Sequence, residues 1–149
     1  MPTRMPTLAA IRRTHVEGTD AEGQIRLLFI RDGGRIGLVQ TASETADNAD
    51  QFLARYLADM ITGVGAPGVV VTVSRSDGRP THSDRQLWAL LLVQLELTST
   101  RIFDLVILGP DRAWSSRRTR PISTPRRRRV TRANQRSAGR RSASRAAAP

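Results

Sequence analysis

Residues 68–83 read GVVVTVSRSDGRPTHS, and this stretch decides how the rest of the chain is interpreted. It begins with five apolar or β-branched residues, 69–73, which are bounded by turn residues and therefore predict a short buried strand. A polar loop around Gly78 and Pro80 follows, and the Thr, Ser and Asp residues after it are typical of a helix start. The stretch thus predicts a strand, a loop and the first turn of a helix.

The flanking sequence predicts an α+β fold with one mixed sheet and two main helices packed on it, in the order β-β-α-β-α-β-(β). An Asp-Gly-Gly turn joins the first two strands, which favours an antiparallel hairpin. The predicted strands are residues 24–30, 35–40, 69–73 and 102–108, with a short last strand at 112–115, and the predicted helices are residues 45–62 and 83–97.

Apolar residues at helical spacing predict which side of each helix packs on the sheet. In the second helix these residues share one predicted face: Trp88, Leu91, Leu92 and Leu95. In the first helix two rows repeat at every fourth position: Phe52, Tyr56 and Met60, and Leu53, Leu57 and Ile61. Asp47 and Asp50 are expected near the start of the first helix, where the helix dipole favours negative charge.

The charge of the chain is unevenly distributed. The 149 residues carry 24 basic residues, all of them Arg, against 13 acidic ones, a net charge of +11. Residues 116–149 contain 12 Arg and no acid, so residues 1–115 have a net charge of −1. We therefore divide the chain into a poorly defined segment 1–22, a folded domain 23–115 and an Arg-rich tail 116–149, whose composition predicts disorder.

Several classes of protein are excluded by composition. The absence of cysteine excludes disulfides and thiolate metal sites. No apolar run approaches the roughly 20 residues of a membrane span, and the first residues lack the apolar segment of a signal peptide. We therefore expect a cytoplasmic protein without membrane contacts.

Three segments of the domain resemble the JAB (also called MPN or JAMM) domain of bacterial RadC-like proteins. The hairpin IRLLFIRDGGRIGLVQ resembles the opening strands of that family, and the loop DGRPTHSD resembles its SGDPTPS segment. The later segment IFDLVILGPDRAWS is similar to the family's LLDHIIVG stretch and the strand after it. The resemblance covers most of residues 24–115 and implies a JAB-like fold with cytidine deaminase-like layering.

The metal motif of that family is degenerate in this chain. The family has His-x-His, then a Ser, then an Asp three residues later, with a Glu from the early hairpin. The two histidine positions fall on Ser74 and Ser76, the serine is retained as Ser83, and the Asp position falls on Gln86. The Glu position falls near Leu38 or Val39. These positions therefore lack the imidazole and carboxylate groups that hold zinc in the family.

The consequence is a predicted loss of hydrolase activity. A catalytic zinc needs about three protein ligands and an open position for water. Without the metal, water keeps a pKa near ~15.7, and no hydroxide nucleophile forms at neutral pH. We therefore expect no cofactor and no catalytic residue; zinc would be present only if the alternative, a divergent metal-dependent hydrolase, were correct.

The alternative would use other polar residues of the same loop. His82, Asp77 and Asp84, with Ser83, could surround a displaced metal. The structural interpretation is that His82 is an exposed residue at a helix start, Asp77 stabilises a turn, and Ser83 or Asp84 caps the helix. Asp104 lies in the middle of a predicted strand, and we expect it to be buried and paired.

The Arg-rich tail predicts non-specific affinity for DNA or RNA, driven by counterion release. No aromatic residue follows Trp114, so base stacking and sequence specificity are not expected. The alternative is a tail without function, drifted from a GC-rich coding sequence. The candidate nucleic-acid contacts are Arg117, Arg118, Arg120, Arg126, Arg127, Arg128, Arg129, Arg132, Arg136, Arg140, Arg141 and Arg145.

Two functional hypotheses follow besides the divergent hydrolase. The first is a non-catalytic, metal-free JAB domain that binds another protein, with a tail that adds affinity for nucleic acid. The second is a protein-binding module whose tail is incidental. RadC-like proteins are often described as DNA repair factors, and that role would extend to this chain by resemblance alone.

Overall fold

The computed structural model describes residues 3–15, 21–117 and 122–123, and the predicted α+β class is confirmed. The strands are β1 (Gln24–Arg31), β2 (Arg35–Thr45), β3 (Gly68–Ser74), β4 (Arg101–Leu108), β5 (Arg112–Ser115) and β6 (Ile122–Ser123). The helices are α1 (Leu8–Arg13), α2 (Gln51–Val64) and α3 (His82–Leu95), and a 3-10 turn, Asp32–Gly34, joins β1 to β2. No helix in the described part of the chain is long and apolar enough to cross a membrane.

One mixed sheet runs through the domain in the order β2-β1-β3-β4-β5-β6. β1 is antiparallel to both β2 and β3, and the predicted hairpin between β1 and β2 is confirmed. β3 and β4 are parallel, because α3 forms the crossover that a parallel pair requires. Their carboxyl ends therefore lie side by side at one edge of the sheet.

Helices cover both faces of the sheet, and this explains why all of β3 except its last residue, Ser74, is buried. Alternate residues of β1 point to opposite faces. Leu27 and Phe29 pack in the cluster that includes α2 and α3, whereas Leu28 and Ile30 pack in a second cluster with Ile11 of α1. The result is three layers, with two helices on one face and one short helix on the other.

The helix predicted at residues 45–62 is α2 in the structure, and it begins later than the sequence predicts. β2 continues to Thr45, and Asp50 is the N-cap of α2, because its side chain accepts a hydrogen bond from the Leu53 amide at 2.8 Å. Of the two rows of apolar residues, only the one with Leu53, Leu57 and Ile61 is buried. The prediction that Phe52 packs on the sheet is wrong: its side chain is 81% exposed.

The helix predicted at residues 83–97 is α3 in the structure, and its set of buried residues differs from the prediction at one position. Leu91 and Leu95 are buried as expected, but Leu92 is 43% exposed, and Leu87 takes the buried position instead. Leu87, Leu91 and Leu95 repeat at every fourth residue and so follow one line along the helix. Trp88 is partly buried at the margin of this row.

The short strand predicted at residues 112–115 is confirmed as β5. Its Trp114 is partly buried and packs against the core, and the Arg85 guanidinium lies 5.6 Å from the centroid of the Trp114 ring. The segment 1–22 contains α1, which begins at the N-cap Thr7 and buries Ile11 completely. The predicted disorder of the tail concerns residues that lie, apart from 116–117 and 122–123, outside the described part of the chain.

Candidate functional site

The loop after β3 lies at the carboxyl ends of the two parallel strands, where ligands bind in many α/β sheets. The Arg75 amide donates to the Leu108 carbonyl at 2.9 Å, which extends the contact between β3 and β4 by one residue. Gly78 and Gly109 then approach each other so closely that a Cβ on Gly109 would lie 2.6 Å from the Gly78 backbone. Gly78 also has a φ of 65°, which favours glycine. The loop therefore needs glycine at position 109 because of the close contact and at position 78 because of the backbone conformation.

Arg75, which stands between Ser74 and Ser76, is the centre of the loop. Its side chain is only 4% exposed and faces Asp84, which is completely buried. Arg75 Nε donates to Asp84 Oδ2 at 3.0 Å, and Nη2 donates to Asp84 Oδ1 at 2.6 Å. This is a bidentate pair, in which one edge of the guanidinium matches both oxygens of a carboxylate.

Two further carboxylates approach the third nitrogen of the same guanidinium. Arg75 Nη1 donates to Asp47 Oδ1 at 2.7 Å, and Glu22 Oε1 lies 3.7 Å away from it. The other oxygen of Glu22 accepts from the Ser76 amide at 2.9 Å. Hydrogen bonds to Asp84, followed by those to Asp47, raise the pKa of Arg75 above its ordinary value despite its burial. Arg75 is therefore a permanent buried cation among three acids, which we call the Arg75 cluster: Arg75, Glu22, Asp47 and Asp84.

Asp84 has a second role at the start of α3. Thr81 is the N-cap of this helix, and its Oγ1 accepts from the Asp84 amide at 3.1 Å. Asp84 Oδ2 in turn accepts from the Thr81 amide at 2.9 Å, which completes a capping box. The prediction that Ser83 or Asp84 is the cap is corrected to Thr81, with Asp84 as its reciprocal partner. One carboxylate thus fixes both the helix start and the Arg75 side chain.

The Ser83 side chain binds the segment before α2. Its Oγ donates to the Ala46 carbonyl at 2.5 Å and accepts from the Ala49 amide at 2.8 Å. Asp47 lies between these two residues, so Ser83 also holds the segment that presents Asp47 to Arg75. Its hydroxyl is engaged in structural bonds in this arrangement.

The other predicted site residues are only partly brought together. Ser74 and Ser76 line one cavity with Arg75, but Gln86 is exposed on α3. Asp77 accepts from the Arg79 amide at 3.0 Å, as expected for a turn residue, and His82 is exposed at the first position of α3. Leu38 and Val39 are exposed on β2, at the outer edge of the sheet.

The residues at the loop do not fit a zinc ion. Within residues 3–15, 21–117 and 122–123, no three His, Asp or Glu side chains are grouped in a way that could hold a metal. The carboxylates of Asp84 and Asp47 both accept hydrogen bonds from the Arg75 guanidinium. Serine hydroxyls are also poor replacements for the imidazoles that zinc sites use.

Asp104 is buried in β4, as the sequence predicts, and its partners are two hydroxyls. The Ser115 and Ser116 side chains both donate to its carboxylate, in short hydrogen bonds that join β4 to the end of β5. A buried carboxylate needs such donors, because an unpaired one would be strongly destabilising. This contact gives Asp104 a structural role.

The sequence interpretation missed Arg75, Glu22 and Asp47 as members of one site. A signal for part of it was present, because Thr81 and Asp84 have the spacing of a capping box. An Arg directly after an apolar strand is also a candidate for a buried ion pair. Of the 12 candidate nucleic-acid residues, only Arg117 lies in the described part of the chain, and its amide donates to Ser115 Oγ at 3.2 Å.

No protein-family model matches this chain, and no curated protein matches it either. The resemblance to the JAB domains of RadC-like proteins therefore stays a prediction from the segments quoted above.

Proposed function

We propose that the body of this protein is a metal-free relative of the RadC-like JAB domains that acts as a cytoplasmic interaction module, and that its Arg-rich tail adds non-specific affinity for DNA or RNA. The observation that carries the first part is the Arg75 cluster. In the family that the loop resembles, two zinc ligands stand at the positions of Ser74 and Ser76, on either side of Arg75. Here a guanidinium from the chain itself neutralises the nearby carboxylates.

The loss of the metal site and the presence of Arg75 support the same conclusion. A fixed guanidinium has no open coordination position and does not lower the pKa of a bound water as zinc does. The cluster instead joins α3, the segment before α2 and the segment before β1, and so stabilises the fold. We therefore propose that the domain binds a partner through its surface and does not catalyse hydrolysis.

The edge of the sheet supports a role in binding another protein. β2 is the outer strand, 11 residues long, and Leu38 and Val39 on it are exposed. An open strand edge can pair with an extended segment of a partner through main-chain hydrogen bonds. This surface lies on the domain itself and would be present whether or not the tail binds nucleic acid.

Zinc analysis tests the metal-free part of the proposal. The full-length protein would be incubated with excess zinc, passed through a desalting column and analysed by mass spectrometry for metal. We expect fewer than about 0.1 zinc per chain, because the loop lacks a set of three ligands. One zinc per chain that survives desalting, and whose removal by a chelator abolishes a peptidase activity, would show that the domain is a divergent hydrolase.

Removal of the tail tests the nucleic-acid part. A chain ending at Arg117 keeps the Ser115 and Ser116 contacts with Asp104 and loses 11 of the 12 tail arginines. We expect the full chain to bind a short DNA duplex and to lose at least about 100-fold in affinity between ~50 and ~200 mM salt. The matched control replaces the tail arginines with lysine and should bind similarly. Equal affinity of the shortened and full chains would leave the tail without this function.

A further inference from the structure

A cavity of about 460 Å³ opens beside the Arg75 cluster, at the carboxyl ends of β3 and β4. Its wall is built from α1, the segment before β1, the end of β3 and the turn after β4, with Arg12, Glu22, Ser76 and Gly109 among the lining residues. This volume is in the range of small-molecule sites, and its place in the fold is one where such sites occur. The proposed interaction module and tail make no use of it.

One side chain in the cavity wall has unmet hydrogen-bonding capacity. Arg12 Nη1 donates to the Gly109 carbonyl at 3.2 Å, but Nε and Nη2 are buried and have no acceptor among the residues that the structure describes. Burial lowers the pKa of the Arg12 guanidinium, with Asp111 partly opposing the shift. Buried donors without a partner are rare in proteins and are destabilising, and a bound ion can supply the acceptor that the chain lacks.

The unpaired atoms form a recognisable binding edge. Arg75 uses its own Nε and Nη2 to hold the two oxygens of Asp84, at 3.0 and 2.6 Å. The same two atoms of Arg12 lie at the same end of the sheet, and within residues 3–15, 21–117 and 122–123 neither has a hydrogen-bond partner. The protein itself therefore shows which chemical group this edge binds when an acceptor is present.

The surrounding charges indicate the kind of anion. Arg12 and Arg75 contribute positive charge to the region, while Glu22 lines the same cavity and Asp111 interacts electrostatically with Arg12. Glu22 is already directed to Arg75 and to the Ser76 amide. Asp47 and Asp84 also bind Arg75, so carboxylates outnumber guanidinium groups in this region. Because the excess negative charge repels a dianion more strongly than a monoanion, a singly charged anion is favoured over a phosphate dianion.

We propose that this cavity binds a small-molecule carboxylate, whose two oxygens accept hydrogen bonds from Nε and Nη2 of Arg12. The rest of the small molecule occupies the cavity next to Ser76, Leu108 and Pro110. Arg12 is then the residue that orients the ligand, and the Gly109 carbonyl holds the guanidinium in place through Nη1.

The test uses acetate as the probe with the full-length protein. Thermal unfolding would be measured in sodium acetate, sodium chloride and inorganic phosphate at equal ionic strength and pH. We expect a rise of about 3 °C in the unfolding midpoint in ~100 mM acetate relative to chloride, and a smaller rise in phosphate. Arg12→Lys keeps the charge but lacks two parallel donors, so the acetate effect should fall by at least half.

The matched control is Arg13→Lys, an exposed neighbour on α1, which should respond to acetate as the wild type does. All three proteins carry the same tail, so anions bound by the tail contribute equally. The side-chain Nε–H resonance of Arg12, assigned in the wild-type protein through its bonds to the Arg12 backbone amide, should move saturably with acetate. This measurement needs only the wild-type fold if the variant is unstable.

Three results would overturn the proposal. An Arg12 resonance that does not move with acetate would mean that a carboxylate of the chain itself already fills the edge. An equal acetate effect in wild type and Arg12→Lys would place the anion elsewhere. A larger effect of phosphate than of acetate would exclude the carboxylate as the preferred ligand.

Discussion

Arg75 and Arg12 lie at the same end of the sheet, but they differ in the hydrogen-bond acceptors that the fold places around their guanidinium groups. Arg75 has acceptors for all three guanidinium nitrogens, and three acids surround it. In the described part of the chain, Arg12 has one backbone acceptor, and two of its buried nitrogens have none. Arg75 is a structural cation that stabilises the fold. The buried nitrogens of Arg12 without acceptors instead lower the stability of the protein, and a ligand that supplies acceptors removes this loss. The acceptors that the fold supplies, and not burial alone, thus separate a structural arginine from a binding one.

The largest expected effect comes from removing the structural cation. Arg75→Met leaves Asp84 buried without a counter-charge, and breaking such a pair is expected to lower the free energy of unfolding by about 3–5 kcal/mol. Urea denaturation followed by circular dichroism measures the change. Arg79→Met, an exposed arginine of the same loop, is the control and should change stability by less than about 0.5 kcal/mol. Equal effects of the two substitutions would remove the special status of Arg75.

A smaller effect is expected from the other half of the pair. Asp84→Asn keeps an amide oxygen that can accept hydrogen bonds but loses the charge, and we expect a loss of about 2–3 kcal/mol in the free energy of unfolding. The same denaturation experiment applies, with Asp77→Asn as the exposed control. A stability equal to that of the wild type would mean that the neutral amide serves Arg75 and the capping box equally well.

Asp47 should contribute less than Asp84, because about half of its side chain is exposed. Asp47→Asn is expected to lower the free energy of unfolding by about 0.5–1 kcal/mol at low salt. The difference from wild type should shrink in ~1 M salt, where exposed charges are screened. The comparison of Asp47 with Asp84 fails if Asp47→Asn proves the more destabilising of the two.

The smallest effect is expected from the other arginine. Arg12→Met removes an unsatisfied buried guanidinium and one hydrogen bond to Gly109, so in chloride buffer its stability should stay within about 1 kcal/mol of wild type. The measurement is the same urea titration, with Arg75→Met beside it. Should both substitutions prove equally costly, Arg12 must have acceptors, and the contrast between the two arginines would disappear.

Local patterns were sufficient to predict most of the fold. Three short patterns each indicate local structure: the apolar run in residues 69–73, the turn at residues 32–34, and the spacing of Leu53, Leu57 and Ile61 at every fourth position. The errors occurred at Phe52 and Leu92, which lie beside the buried rows, since a helix buries only the row that faces the sheet. The site was harder to predict, because its partners lie far apart along the chain.

The sequence by itself determined the order of the elements between β1 and β5 and the charge of residues 116–149, because these depend on residue type and short-range spacing. Only the tertiary structure decided that Arg75 has Glu22, Asp47 and Asp84 as partners and that two nitrogens of Arg12 have no partner among the described residues. The physical reason is that a buried charge is satisfied by whichever groups the packed chain brings within hydrogen-bonding distance, and no local pattern specifies those groups.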